Sequence, residues 1–381
     1  WKSVCKTIYN NPFFGNELEK VNYYKEELDN LIKLTKNDFE KTFLIFQYVK
    51  SKVKWNGYYN KYTSIGVKKS FKEGTGNSAD INLMLTSMLR YANINANPVL
   101  VSTKDNGIPL FPTIEGFNYV ISKINFTNGE YVLLDATEKY SSPNLLPHRA
   151  LNWFGREIIK KGISKTVNLT PSEHSKKEKT LYIKIEDTGD AKGMLRESFT
   201  GHSALFYRKN NNLKKEKDVI SSLEEMYNIE VESLKTLNKN VLSKPITQSL
   251  KFSGEDFIEG INNKLYFSPL FFLATQENPF KSEERNFPVD YGMPWQNNFS
   301  VIITIPDAYT VESFPEELAI ALPENLGLFK YKLLVQNNKI KLSSILQINT
   351  NIITTQYYNI LRDFYTQLVK KQSEKIVLIK K

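Results

Sequence analysis

Apolar residues recur at helical spacing in two segments near the start of the chain. After Asn37, a residue suited to capping, Phe39, Phe43, Phe46, Val49 and Val53 fall three or four apart and predict an amphipathic helix. From about Ser78 to Ala92, a stripe of Ile81, Leu85, Met88, Leu89 and Ala92 predicts another, and Leu83 and Met84 add apolar surface away from that stripe. A helix that is apolar on more than one side belongs in the middle of a domain. Strand patterns follow at Val99–Val101, Phe117–Phe126 and Tyr131–Asp135, the last two joined across Asn128-Gly129, a strong hairpin signal. Helices first and antiparallel strands after give an α+β order, not a repeating βαβ.

Past about residue 165 the pattern changes, and residues 1–165 and 166–381 are expected to form separate units. The second is predicted mainly β and sandwich-like. Its expected strands are Leu181–Glu186, Ser203–Tyr207, Ile246–Phe252, Leu265–Leu273, Phe299–Ile305, Phe329–Val335, Ile340–Leu342 and Ile345–Thr354. Two helical stretches, about Lys214–Leu237 and Gln356–Lys370, interrupt them, and no internal repeat of fixed period is present.

Composition removes several function classes. The 381 residues suffice for two or three domains at ~150 residues each, and the abundance of Phe and Tyr excludes disorder as the main state. No apolar run approaches the ~18 residues of a membrane span, so no transmembrane segment is expected. Cys5 is the single cysteine, which excludes a disulfide framework, and His148, His174 and His202 lack ligand spacing, so neither a metal nor another cofactor is predicted. The net charge is +10, but only seven of the 51 basic residues are arginine and the lysines fall in scattered pairs. That pattern describes a solvated surface better than a nucleic-acid reader, and no nucleic-acid partner is expected.

The start of the second helix carries the candidate chemistry. Gly74-Thr75-Gly76-Asn77-Ser78-Ala79-Asp80-Ile81-Asn82 is a glycine-containing turn entering an apolar helix; Phe117-Asn118-Tyr119-Val120 begins a strand, and Leu133-Leu134-Asp135-Ala136-Thr137 ends one. Over roughly residues 35–155 this order resembles the transglutaminase-like family of the papain-like cysteine protease superfamily. Gly-Asn-Ser-Ala-Asp-Ile-Asn, Gly116-Phe117-Asn118-Tyr119-Val120-Ile121 and Asn144-Leu145-Leu146-Pro147 are similar to a branch of large Gram-negative envelope proteins. The resemblance implies a papain-like core, a nucleophilic cysteine at the helix start, a histidine on one strand and an aspartate on the next. It also implies a periplasmic or exported setting and a further β domain upstream of Trp1.

By that correspondence the nucleophile position holds Ser78, the base position Asn118, and only Asp135 keeps the family residue. Trp55 and Asn77 are candidate binding residues beside them. A cysteine at a helix N-terminus is activated by the dipole and a neighbouring imidazole, whereas serine needs a true base and an asparagine amide cannot shuttle a proton near neutral pH. Ser78 also reads simply as the N-cap of its helix. A two-residue Asn128-Gly129 turn would pair Thr127 with Glu130 and set Asp135 opposite Ser122, on one face with Asn118 but four residues from it.

Two functions stay open on the candidate residues, with a nucleic-acid binder, carried only by the net charge, as a third. One is a catalytically inactive pseudoenzyme serving as a binding or scaffolding module in the cell envelope, with a peptide or glycan segment in its cleft. The other is a hydrolase or acyltransferase of peptide or amide bonds using Ser78 as nucleophile.

Overall fold

The structure, a computed structural model, describes residues 1–186, 190–255 and 257–381. It divides into two compact units, Trp1–Pro171 and Ser172–Lys381. A division at residue 165 would cut a strand, Ser164–Asn168, that completes the first unit's sheet.

In the first unit, helices α1 (Lys2–Asn10), α2 (Gly15–Leu18), α3 (Lys25–Ile32), α4 (Asp38–Lys52), α5 (Val67–Glu73) and α6 (Ser78–Tyr91) precede the sheet. Strands β1 (Lys54–Trp55) and β2 (Thr75–Gly76) form a short parallel pair. Then β3 (Ala96–Val101), β4 (Tyr119–Asn125), β5 (Tyr131–Leu134), β6 (Phe154–Ile158) and β7 (Ser164–Asn168) make an antiparallel sheet in the order β5-β4-β3-β6-β7. Asn37 does cap α4, its side chain accepting from Glu40 N.

Helix α6 is the centre of this unit. Every residue from Ser78 to Leu89 is buried, as its many-sided apolar character predicts, and it packs on β3 and β4 with α2, α4 and α5 around it. Its buried polar residues are tied rather than exposed: Thr86 Oγ1 donates to Asn82 O and lies 3.0 Å from Ser122 Oγ, and Ser87 Oγ donates to Leu18 O. Such pairing removes the cost of burying them. Truncating Leu85 to Ala there would cost about 2–5 kcal/mol.

The β4–β5 hairpin departs from expectation by one residue. Its loop is Thr127-Asn128-Gly129, with Phe126 N donating to Glu130 O and Gly129, at φ 86°, donating to Phe126 O. A three-residue loop ending in a left-handed glycine is the next commonest hairpin after the two-residue turn. It sets Ser122 opposite Leu134, not Asp135.

The second unit is built on an eight-stranded sheet in the order β10-β11-β9-β8-β15-β19-β18-β17. Its strands are β8 (Ser175–Ile185), β9 (Ala191–Phe199), β10 (Glu230–Leu237), β11 (Ile246–Gly254), β15 (Trp295–Thr304), β17 (Leu318–Ala321), β18 (Gly327–Gln336) and β19 (Lys339–Ile348). Among the described strands of this sheet, only β8 and β15 pair in parallel. A four-stranded sheet of β12 (Glu259–Ile261), β13 (Lys264–Phe267), β21 (Ile376–Lys380) and β16 (Tyr309–Ser313) shares its core. So do helices α8 (Glu216–Tyr227) and α9 (Tyr358–Ser373), through Val219, Leu223, Leu361, Phe364 and Leu368. A short pair, β14 (Val289–Asp290) and β20 (Ile352–Ile353), completes the described strands.

The expected strand Leu265–Leu273 ends at Phe267, and Phe271–Leu273 forms a single 3-10 turn; two further expectations fail here. Ser203–Tyr207 lies inside helix α7 (Gly201–Asn211), because a short apolar run does not distinguish a buried strand from a helix. The expected helix Lys214–Leu237 stops at Asn228, whose left-handed backbone (φ 51°) ends α8 and lets the chain return as β10.

Candidate functional site

The head of α6 is assembled from backbone and amides. Asn77, not Ser78, is the N-cap: its Oδ1 accepts from Ala79 N and Asp80 N at 3.0 and 2.8 Å, while Asp80 Oδ2 accepts from Asn77 N at 3.0 Å. This is a reciprocal capping box. Asn77 Nδ2 donates to Tyr62 O at 2.9 Å, which ties the helix to the preceding loop. Gly76 is required because a Cβ there would lie 2.3 Å from Ser70 Oγ and 2.7 Å from Asp80 Cβ. Burial raises the Asp80 carboxyl above its usual range, opposed by the amides of Asn77, Ser64 and Gly66.

Ser78 is fully buried and its hydroxyl is engaged in both directions. Oγ donates to Asn60 O at 2.7 Å and accepts from Asn60 N at 2.9 Å. Among the described residues no titratable side chain takes part.

Asn118 does not occupy the base position. Its Oδ1 accepts from Thr103 N at 2.9 Å and its Nδ2 donates to Thr103 Oγ1 at 2.8 Å; among the described residues no hydrogen bond joins it to Ser78 or Asp135. The hairpin register is the reason. Continuing the observed pairing sets Asp135 beside Ile121, so the strand position two residues on, on the same face, is Tyr119.

Tyr119 is the residue that meets the aspartate. Its Oη donates to Asp135 Oδ2 at 2.8 Å and lies 2.6 Å from Thr137 Oγ1. Asp135 is further held by Asn82 Nδ2, Thr137 N and Thr137 Oγ1, at 3.0, 3.0 and 2.7 Å. Asn82 also donates to Val120 O and accepts from Ala136 N, so α6 fixes both strands at this point. Complete burial, reinforced by the Asp135 charge, pushes the Tyr119 phenol well above its ordinary pKa.

Arg149 closes the cluster. Its Nε donates to Tyr119 Oη at 3.2 Å, Nη2 to Thr137 Oγ1 at 2.6 Å, and Nη1 lies 3.7 Å from Glu138 Oε2. Burial opposes the guanidinium charge, but Tyr119, Asp135 and Glu138 more than offset it and raise its pKa. The guanidinium lies 4.2 Å from the Trp55 ring centroid. Trp55 stacks on Tyr59 at 5.5 Å and 10°, and Tyr59 meets Tyr119 edge-on at 5.6 Å. Tyr58, whose carbonyl accepts from Trp55 Nε1, is largely exposed, so this aromatic group opens to solvent.

Of the residues marked in the sequence, Ser78 and Asn77 share the head of α6, Asp135 is joined to α6 through Asn82, Trp55 borders the cluster, and Asn118 turns away. Tyr119, Arg149, Asn60 and Tyr59 were not singled out. Tyr119 was one residue from the marked position and reading the loop as three residues would have selected it; for Asn60 the sequence carries no signal.

Residues 27–136 match the model of the transglutaminase-like superfamily, and residues 263–378 match a domain of unknown function with a solved structure, DUF3858. The first unit is a transglutaminase-like domain, followed by a mainly β region. The fold is similar to the crystal structure of a "putative protease" from Parabacteroides distasonis, with a TM-score of 0.57 and 12% identity. The alignment covers 99% of this chain and 58% of that one, so this chain spans little more than half of that protein's length. A search of curated proteins finds no match.

Proposed function

We propose that the transglutaminase-like unit is a pseudoenzyme, a binding or scaffolding module that takes a peptide or glycan segment against its aromatic cluster. One observation carries the reading: the group hydrogen-bonded to Asp135 is the Tyr119 phenol, where a working site needs an imidazole. A phenol that stays protonated near neutral pH cannot accept a proton from Ser78. The Ser78 hydroxyl, donated to Asn60 O, has no base to leave it for. The fold likeness to a "putative protease" supports a hydrolase by analogy only. Trp55, Tyr59 and Arg149 offer a ring face and a cation of the kind that peptide and sugar surfaces pack against.

The test is turnover of ester, peptide and glutamine substrates by the wild-type chain and Ser78→Ala. The expected result is no turnover in either; turnover that disappears in Ser78→Ala establishes the hydrolase or acyltransferase reading instead. For binding, Trp55→Ala should weaken any peptide or oligosaccharide that saturates the unit by about fivefold or more. Unchanged affinity places that ligand elsewhere. The envelope setting rests on the family resemblance, and recovery of the native gene product in the cytosolic fraction would sink it.

A further inference from the structure

We infer that a cavity of about 630 Å³ on the first unit, walled by Tyr23, Ile65 and Phe71 and rimmed by lysines, binds an anionic amphiphile, an acyl or aryl chain ending in a phosphate or carboxylate. Its size suits a ligand of drug-like bulk, and most of its lining surface is apolar once the lysine stems are included.

The charges at the rim do not cancel. Five lysines border the cavity, and three have carboxylate partners: Lys20 with Glu17 at 2.6 Å, Lys52 with Glu27 at 2.9 Å and Lys69 with Glu73 at 3.7 Å. Lys68 and Lys72 have no acidic partner among the described residues. They stand four residues apart on α5, on the same side of the helix, where two like charges repel. An anion between them would remove that repulsion.

The wall is ordered: the Tyr23 ring is fixed edge-on against Phe71 at 5.2 Å and Tyr24 at 4.9 Å. An apolar body against Tyr23, Phe71 and Ile65 and an anionic end toward Lys68 and Lys72 satisfies both features. Ile65 and Gly66 in the wall belong to the loop whose amides hold Asp80, so an occupant would also brace the loop at the head of α6.

The experiment is calorimetric titration of the full chain with decyl phosphate below its micelle concentration. Decyl maltoside, inorganic phosphate and phosphatidylglycerol vesicles are run beside it. Saturable one-to-one binding of decyl phosphate is expected, with the neutral detergent and free phosphate at least roughly tenfold weaker. K68Q/K72Q, both exposed positions, should weaken it roughly tenfold. Amides of residues 64–66 should exchange more slowly with ligand present. Vesicle binding that K68Q/K72Q abolishes identifies a lipid headgroup as the source; decyl phosphate binding without vesicle binding identifies a free amphiphile. Absence of saturable binding, affinity unchanged in K68Q/K72Q, or free phosphate binding as tightly as decyl phosphate overturns the assignment.

Discussion

Lys50 in the first unit and Lys179 in the second are both drawn out of water, and their charges respond in opposite directions. Burial pushes the Lys50 ammonium down to about 8, only partly opposed by Glu138. Burial also opposes the Lys179 charge, but Glu197 and Tyr227 more than offset it and raise its pKa. Hydrogen bonding does not separate the two. Lys50 Nζ donates to Ser141 O at 2.7 Å and lies 4.5 Å from the Phe46 ring centre; Lys179 Nζ donates to Tyr227 Oη at 2.6 Å and pairs with Glu197 at 2.8 Å. The difference is a carboxylate. Carbonyls satisfy a donor without neutralising its charge, and only a counter-ion reverses the penalty of burial. The same distinction describes the candidate site, where Ser78 is complete in hydrogen bonds and Arg149 is neutralised by acids.

The largest test of this comparison is Lys179→Met. It leaves Glu197, 3% exposed at its side chain, without its counter-ion, and the expected loss is about 3–5 kcal/mol in urea unfolding. Adding Glu197→Leu should restore most of it. A loss in Lys179→Met under about 1 kcal/mol would mean that the pair does not hold Glu197 in its charged state.

Lys50→Met should behave differently, through pH. With a folded pKa of about 8 against an ordinary 10.5, the unfolded chain binds more protons than the folded chain between those values. Wild-type stability from this group therefore rises across that window, and the penalty is fully present below about pH 8. The stability of Lys50→Met relative to wild type should be highest at pH 7 and fall by about 3 kcal/mol by pH 10.5. A difference that stays flat with pH would remove the contrast between the two lysines.

The sequence made α6 legible because a helix apolar on several sides has one place to go, and the hairpin legible because Asn128-Gly129 marks its turn. What it left ambiguous was one residue of loop length. That single residue decided whether Asn118 or Tyr119 faces Asp135, since strand faces alternate. In the second unit, α7 and the break at Asn228 were hidden for a related reason: short apolar runs carry no period, and a left-handed asparagine looks like any other until the chain reverses. The lock of Ser78 on Asn60 is made with backbone atoms, which no side-chain pattern reports.

The smallest effect expected is a shift of a single thiol, and it tests the site by the rule the two lysines illustrate. In a Cys5→Ser background, Ser78→Cys alone buries a thiol among uncharged groups, so it should titrate at or above the ordinary ~8.5. Adding Tyr119→His places an imidazole against Asp135, the carboxylate that would hold it in its charged form. An imidazolium near the thiol should then lower its pKa by about one unit, read from the pH dependence of thiolate ultraviolet absorbance. Asn118→His in place of Tyr119→His should leave the thiol where Ser78→Cys alone puts it, because position 118 is turned toward Thr103. If the Asn118→His pair shifts the thiol and the Tyr119→His pair does not, Tyr119 is not the residue in the base position, and the observation on which the pseudoenzyme reading depends is lost.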